Sequence, residues 1–203
     1  MLVLALGCRS SAGPAPESPS AAAVSVGDSP GTSPGDSPSA PPVAQAAVGT
    51  AVPDAMRGIV EAHNARRAAH CAPPLAWSPE VAAVAQRYAD QLREGGCNLA
   101  HSSGPYGENL YGASPAGGTS AAAVVDAWYS EVAQYNPARP GFSMQTGHYT
   151  QVVWRGTARV GCGVARCADA EVWVCNYDPP GNVQGSYPEN VAPTGCRTGA
   201  SKE

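Results

Sequence analysis

Six cysteines, Cys71, Cys97, Cys162, Cys167, Cys175 and Cys196, crowd the C-terminal two-thirds of this 203-residue chain, and no two form a Cys-x-x-Cys pair. Six thiols in one such stretch read as three disulfides rather than as a thiolate metal site, which places the chain in an oxidising compartment outside the cytoplasm. Many pairings are open in principle. Cys167 and Cys175 flank a hairpin and are paired first. Cys97 with Cys162 is the second choice, and Cys71 with Cys196 then ties the two ends of the domain.

The seventh cysteine, Cys8, stands apart. Met1 to Gly7 is an apolar run that ends in a small residue directly before Cys8, and a polar stretch follows. This resembles a bacterial lipoprotein signal, in which that cysteine becomes the lipidated N-terminus. The expected organisation is therefore a signal remnant over 1–8, a tether over 9–52 and one domain over 53–200. Eight of the 20 prolines lie between Pro14 and Pro42, mixed with Ser, Ala and Gly, and Asp28 to Pro38 nearly repeats an Asp-Ser-Pro-Gly unit. Such a composition buries too little apolar surface to offset the entropy of ordering its backbone. All four Trp, all eight Tyr and the single Phe lie beyond it, so the core must form there.

The formal net charge is −4, with Arg9, Glu17, Asp28 and Asp36 leaving −2 on residues 1–50 and hence −2 on the remainder. Neither part carries the basic patch that a nucleic-acid partner needs. No apolar run approaches the ~20 residues of a membrane-spanning helix. Membrane contact is expected only through a lipidated N-terminus, and the domain is expected to be a monomer.

Periodicity places helices over about 54–69, 79–94 and 120–134, with a short helical turn at 107–111. The second is the best marked, with Ser78 as N-cap, Pro79 at the first helical position and Gly95-Gly96 as the stop. Stretches 148–155, 160–166 and 171–177 are rich in Val, Tyr, Trp and Thr and read as strands. Helices followed by clustered strands point to an α+β layered domain with an antiparallel sheet. Glu131 breaks the pattern of the third helix, because it shares a face with Trp128 and Tyr135. A carboxylate there must be paired, line a wet cleft or reach solvent at the rim.

Four stretches carry a family resemblance. Gly147-His148-Tyr149-Thr150-Gln151-Val152-Val153-Trp154 and Val172-Trp173-Val174-Cys175-Asn176-Tyr177-Asp178-Pro179-Pro180-Gly181-Asn182-Val183 are similar to the two signatures of the CAP superfamily: cysteine-rich secretory proteins, antigen 5 and pathogenesis-related protein 1. His63-Asn64-Ala65-Arg66 and the stretch from His101 to Leu110 agree as well, and the plant branch is nearest. The resemblance spans about 56–188. It implies a three-layer α-β-α sandwich and a cleft where His101, Glu108, Glu131 and His148 converge, with His101 and His148 as ligands for zinc or another divalent cation. It departs from plant relatives where they carry a cysteine pair just upstream of Gly147, since this chain has Gln145-Thr146 there.

Three functions follow as expectations. The first is a binding module for a sterol, a fatty acid or a similar lipid. The second is a zinc-assisted extracellular hydrolase with Glu108 or Glu131 as base. The third is a non-catalytic signalling ectodomain. No third strong metal ligand and no nucleophile–base–orienter set is visible, so binding is the favoured reading and no catalytic residue is assigned. Ser102 beside His101 is too weak a signal for a nucleophile.

Overall fold

The structure, a computed structural model, describes residues 51–196. Cys8 and nearly all of the tether lie outside the described residues. The helices are α1 (Ile59–Ala68), α2 (Pro79–Glu94), α3 (Ala121–Tyr129), α4 (Gly147–Val152) and α5 (Tyr187–Asn190); the strands are β1 (Ala76–Trp77), β2 (Gly107–Ala113), β3 (Arg159–Arg166) and β4 (Glu171–Asp178). The sheet order is β1-β3-β4-β2. It is antiparallel except at the two-residue β1, which runs parallel to β3.

Two apolar clusters, one on each face, make this a three-layer α-β-α sandwich. Ala85, Ala89 and Leu92 of α2 meet Leu110, Ala165, Val172 and Val174 on one face. The other buries Ile59, Val124, Val125, Trp128, Tyr149, Val152, Trp173 and Tyr177 beneath α1, α3 and α4. Ser78 caps α2 by accepting from the Val81 amide, with Pro79 in the first turn.

Four elements differ from their sequence reading. The first helix is interrupted: Asp54–Met56 is one 3-10 turn, and Gly58, at φ 83°, starts α1. The third stops as an α-helix at Tyr129 and tightens into a 3-10 turn over Ser130–Gln134. The 107–111 turn is instead the edge strand β2, whose alternation sends Leu110 into the α2 cluster and Tyr111 into the opposite one. The 148–155 strand is instead helix α4. Its Tyr149, Thr150, Gln151 and Val152 are all buried, and a short run buried on every side has no period that separates helix from strand.

The bridges are Cys71–Cys196, Cys97–Cys167 and Cys162–Cys175. Two expected pairs, Cys97–Cys162 and Cys167–Cys175, are thus corrected. Cys162 and Cys175 are directly opposed on β3 and β4 and belong to the α1–α3 face. Cys97 packs on the α2 face, so a bond to Cys162 would have to cross the sheet. Cys167, just past β3, reaches it instead. Three bridges suit an extracytoplasmic location.

Candidate functional site

The four residues form two histidine–carboxylate pairs. His101 Nδ1 is 2.8 Å from Glu108 Oε1, and His148 Nδ1 is 2.7 Å from Glu131 Oε1. A carboxylate only accepts, so each Nδ1 carries a proton, and in the neutral imidazole Nε2 is then the nitrogen with the lone pair. The Glu108 side chain is 7% exposed and its histidine 33%; Glu131 and His148 stand at 16% and 23%. Acids lie beneath and imidazoles lie toward solvent.

Both carboxylates are heavily engaged. Glu108 also accepts from the Ser102 amide at 2.9 Å and the Ser102 hydroxyl at 2.6 Å. Burial pushes its carboxyl up, yet the bonds from His101 and Ser102 outweigh this and hold it below the usual range. Glu131 accepts from the backbone amides of His148 at 3.0 Å and Tyr149 at 3.1 Å. These are orphan donors of the first turn of α4. Glu131 therefore caps α4 and aims the ring of His148 with one carboxylate, which explains an acid on an otherwise apolar face.

Asn109 joins the pairs. It follows Glu108 on β2, and its Nδ2 donates to the His148 carbonyl at 3.1 Å and to the Tyr177 hydroxyl at 3.2 Å. Tyr177 in turn lies 2.9 Å from His63 Nε2, and His63 Nδ1 donates to the Ile59 carbonyl at 2.7 Å. This buried chain links β2, β4, α1 and α4. Among the described residues no side-chain hydrogen bond runs directly from one pair to the other, and no three His, Cys, Asp or Glu gather as a metal-holding group. Asn109, Ser102 and Tyr177 were not assigned to the site from sequence; the signals for them were the Glu108-Asn109 and His101-Ser102 dipeptides, which spacing alone cannot orient.

Burial lowers His63 from 6.5 to about 4, the backbone bond to Ile59 opposing and nearby Arg67 reinforcing the shift. The unfolded chain takes up that proton near pH 6.5 and the folded one only near pH 4. Stability from His63 is therefore complete above about pH 6.5 and declines as pH falls toward 4, by about 3 kcal/mol. Urea titrations at stepped pH should show His63→Gln losing that part of the slope; an unchanged slope would place it elsewhere.

A separate groove of about 240 Å³ opens where the α3–α4 connection folds back, lined by Tyr135, Arg139, Phe142 and Thr146 among others. Its one mark in the sequence is the lone Phe142, which follows Pro140-Gly141.

Residues 60–177 match the cysteine-rich secretory protein family, CAP. The chain belongs to this family. It is 45% identical to protein PRY2 of Saccharomyces cerevisiae over 143 residues, 69% of this chain but only 42% of the yeast protein. It is 44% identical to pathogenesis-related protein 1 of Arabidopsis thaliana over 136 residues, 66% of this chain and 83% of that one. Among solved structures, NaASP2 with Zn2+ superposes with TM-score 0.57 at 28% identity, covering 71% of this chain and 91% of that one. These relatives lend no support to a specifically bacterial lipoprotein.

Proposed function

We propose that this is an extracellular lipid-binding module whose ligand, a sterol or fatty acid, enters the Tyr135–Phe142 groove, and whose two imidazoles can hold a divalent cation. The groove carries the reading. It sets the two rings of Tyr135 and Phe142 among Gln134, Asn136, Ser143, Thr146 and one cation, Arg139, with no acid, a lining suited to the polar or anionic head of a lipid with the start of its apolar body against the rings. At about 240 Å³ it is smaller than the ~300–1,000 Å³ of drug-sized sites, so much of a lipid would lie along its exposed edge.

The histidine pairs fit a metal by their donor chemistry. Each imidazole has one nitrogen fixed by a carboxylate and the other bare, the arrangement that orients metal-bound histidines. His101 and His148 would supply the nitrogens, water would complete the shell, and zinc would act there as a Lewis acid. Glu108 and Glu131 each already accept three hydrogen bonds. They are spent on positioning, which favours binding over hydrolysis. Anchoring through a lipidated Cys8 belongs to the same proposal, and intact-mass analysis of the native N-terminus tests it.

Purified protein should carry extractable lipid or bind a labelled sterol or fatty acid saturably, with Tyr135→Ala together with Phe142→Ala weakening this roughly tenfold or more. Equal binding by that variant removes the groove from the reading, and no binding by wild type removes the reading.

A further inference from the structure

The exposed large apolar side chains among the described residues are Phe142, Met144 and Val183, each about half exposed. Phe142 and Met144 are far from Val183 in sequence, yet both segments reach Gly147 at the start of α4. The ring of Phe142 lies against Gly147, 3.0 Å from where a Cβ would stand. Asn182, next to Val183, donates its Nδ2 to the Gly147 carbonyl at 2.9 Å and accepts at Oδ1 from the Thr150 hydroxyl at 2.6 Å. Met144 lies two residues on, in the turn closed by the Thr146 amide on the Ser143 carbonyl at 3.1 Å. The N-terminus of α4 thus brings the Phe142–Met144 and Asn182–Val183 segments together, and exposed apolar residues on neighbouring segments mark an interaction surface where scattered ones do not.

Charge selects the partner. The segment 132–147 carries Arg139 and no acid, and 179–186 carries no charge at all. Arg139 is the cation of this edge, and the carboxylate at the same helix end, Glu131, is already taken up by His148 and the first amides of α4, so the free charge there is positive, which suits anionic headgroups above acyl chains. We infer that Phe142, Met144 and Val183 form a docking edge that inserts into the surface of a lipid bilayer, with Arg139 against its anionic headgroups. For its purpose this rests on the lipid-binding reading: a groove that opens beside an inserted edge can exchange lipid with the bilayer without exposing it to water.

The experiment uses the full chain carrying Cys8→Ser, so that no acyl anchor contributes, and vesicles of phosphatidylcholine with a minor fraction of phosphatidylserine. Wild type should cosediment with them. Met144→Ser combined with Val183→Ser, neither residue lining the groove, should weaken cosedimentation on the order of tenfold or more while binding of monomeric fatty acid persists. Arg139→Gln should cost about fivefold on these vesicles and little on pure phosphatidylcholine. A Phe142→Trp chain should gain emission that brominated lipid quenches, a readout independent of the serine variants. Failure of wild type to cosediment, an undiminished double variant or an unquenched tryptophan each overturns the docking edge. So does concentration-dependent self-association that the double variant abolishes, which would assign the rim to a second copy. Docking without any bound fatty acid would instead overturn the groove and leave the edge standing.

Discussion

Arg67→Met is expected to destabilise the domain by about 3–5 kcal/mol, enough to leave much of it unfolded at physiological temperature. Arg67 is wholly buried, and no acid pairs with it among the described residues. Its guanidinium donates to four carbonyls: Pro73 at 2.8 Å, Val152 at 3.0 Å, Trp154 at 2.8 Å and Thr157 at 2.9 Å. Burial lowers its pKa to about 10, so it stays charged at neutral pH. One side chain of α1 thus gathers the end of α4 and the turn that leads into β3. Methionine fills the space but leaves four buried acceptors without donors, and each unmet acceptor costs about 1–3 kcal/mol before relaxation. Lysine should rescue little, because a compact ammonium on a flexible stem cannot reproduce a planar fork. Urea unfolding of the disulfide-intact protein decides the matter, and a loss under about 1 kcal/mol would show that the carbonyls find other donors.

Gly161→Ala should be comparably severe. A Cβ there would stand 2.1 Å from the amide nitrogen of Ala82 and 2.6 Å from its Cα; at Gly163 it would stand 2.4 Å from the Cα of Gln86. These are backbone atoms of α2, so relief requires lifting the helix from the sheet. Two strand positions advance about as far as one helical turn, so the two glycines meet Ala82 and Gln86 in step. Gln86 depends on this closeness. Its Nε2 donates to the Val164 carbonyl at 3.0 Å and its Oε1 accepts from the Val164 amide at 3.1 Å, serving a part of β3 that the short β1 does not reach. The expected cost is about 3 kcal/mol or more. Gly118→Ala, where a Cβ meets nothing within 4 Å, should stay within about 0.5 kcal/mol. Similar melts for the two variants would mean that α2 is free to shift.

Much of this was legible in the residues. Ser78, Pro79 and the glycines after Glu94 mark α2 by local chemistry alone, and the stretches around β3 and β4 carry the Val, Trp and Tyr that favour strands. The matched stretches hold His101, Glu108 and His148, and the resemblance they carry implied Glu131, which also stood out on the apolar face of the third helix. What escaped was whatever depends on a neighbour remote in sequence. The stretch 148–155 has strand-like composition, but the carboxylate of Glu131 supplies donors' partners for a helical first turn, and burial on all sides erases the period. The cysteines of the hairpin look like natural partners until the sheet turns Cys175 to one face and Cys167 to the other side's helix.

From the sequence alone came the compartment, the layered class, the well-capped second helix and the identity of four polar residues, because composition, caps and motifs act over a few residues. The tertiary structure alone decided which cysteines bond, which acid holds which imidazole, and how Phe142 and Asn182 come to meet at Gly147. Those outcomes depend on faces and distances between segments far apart along the chain, and spacing along a polymer carries no record of them until it folds.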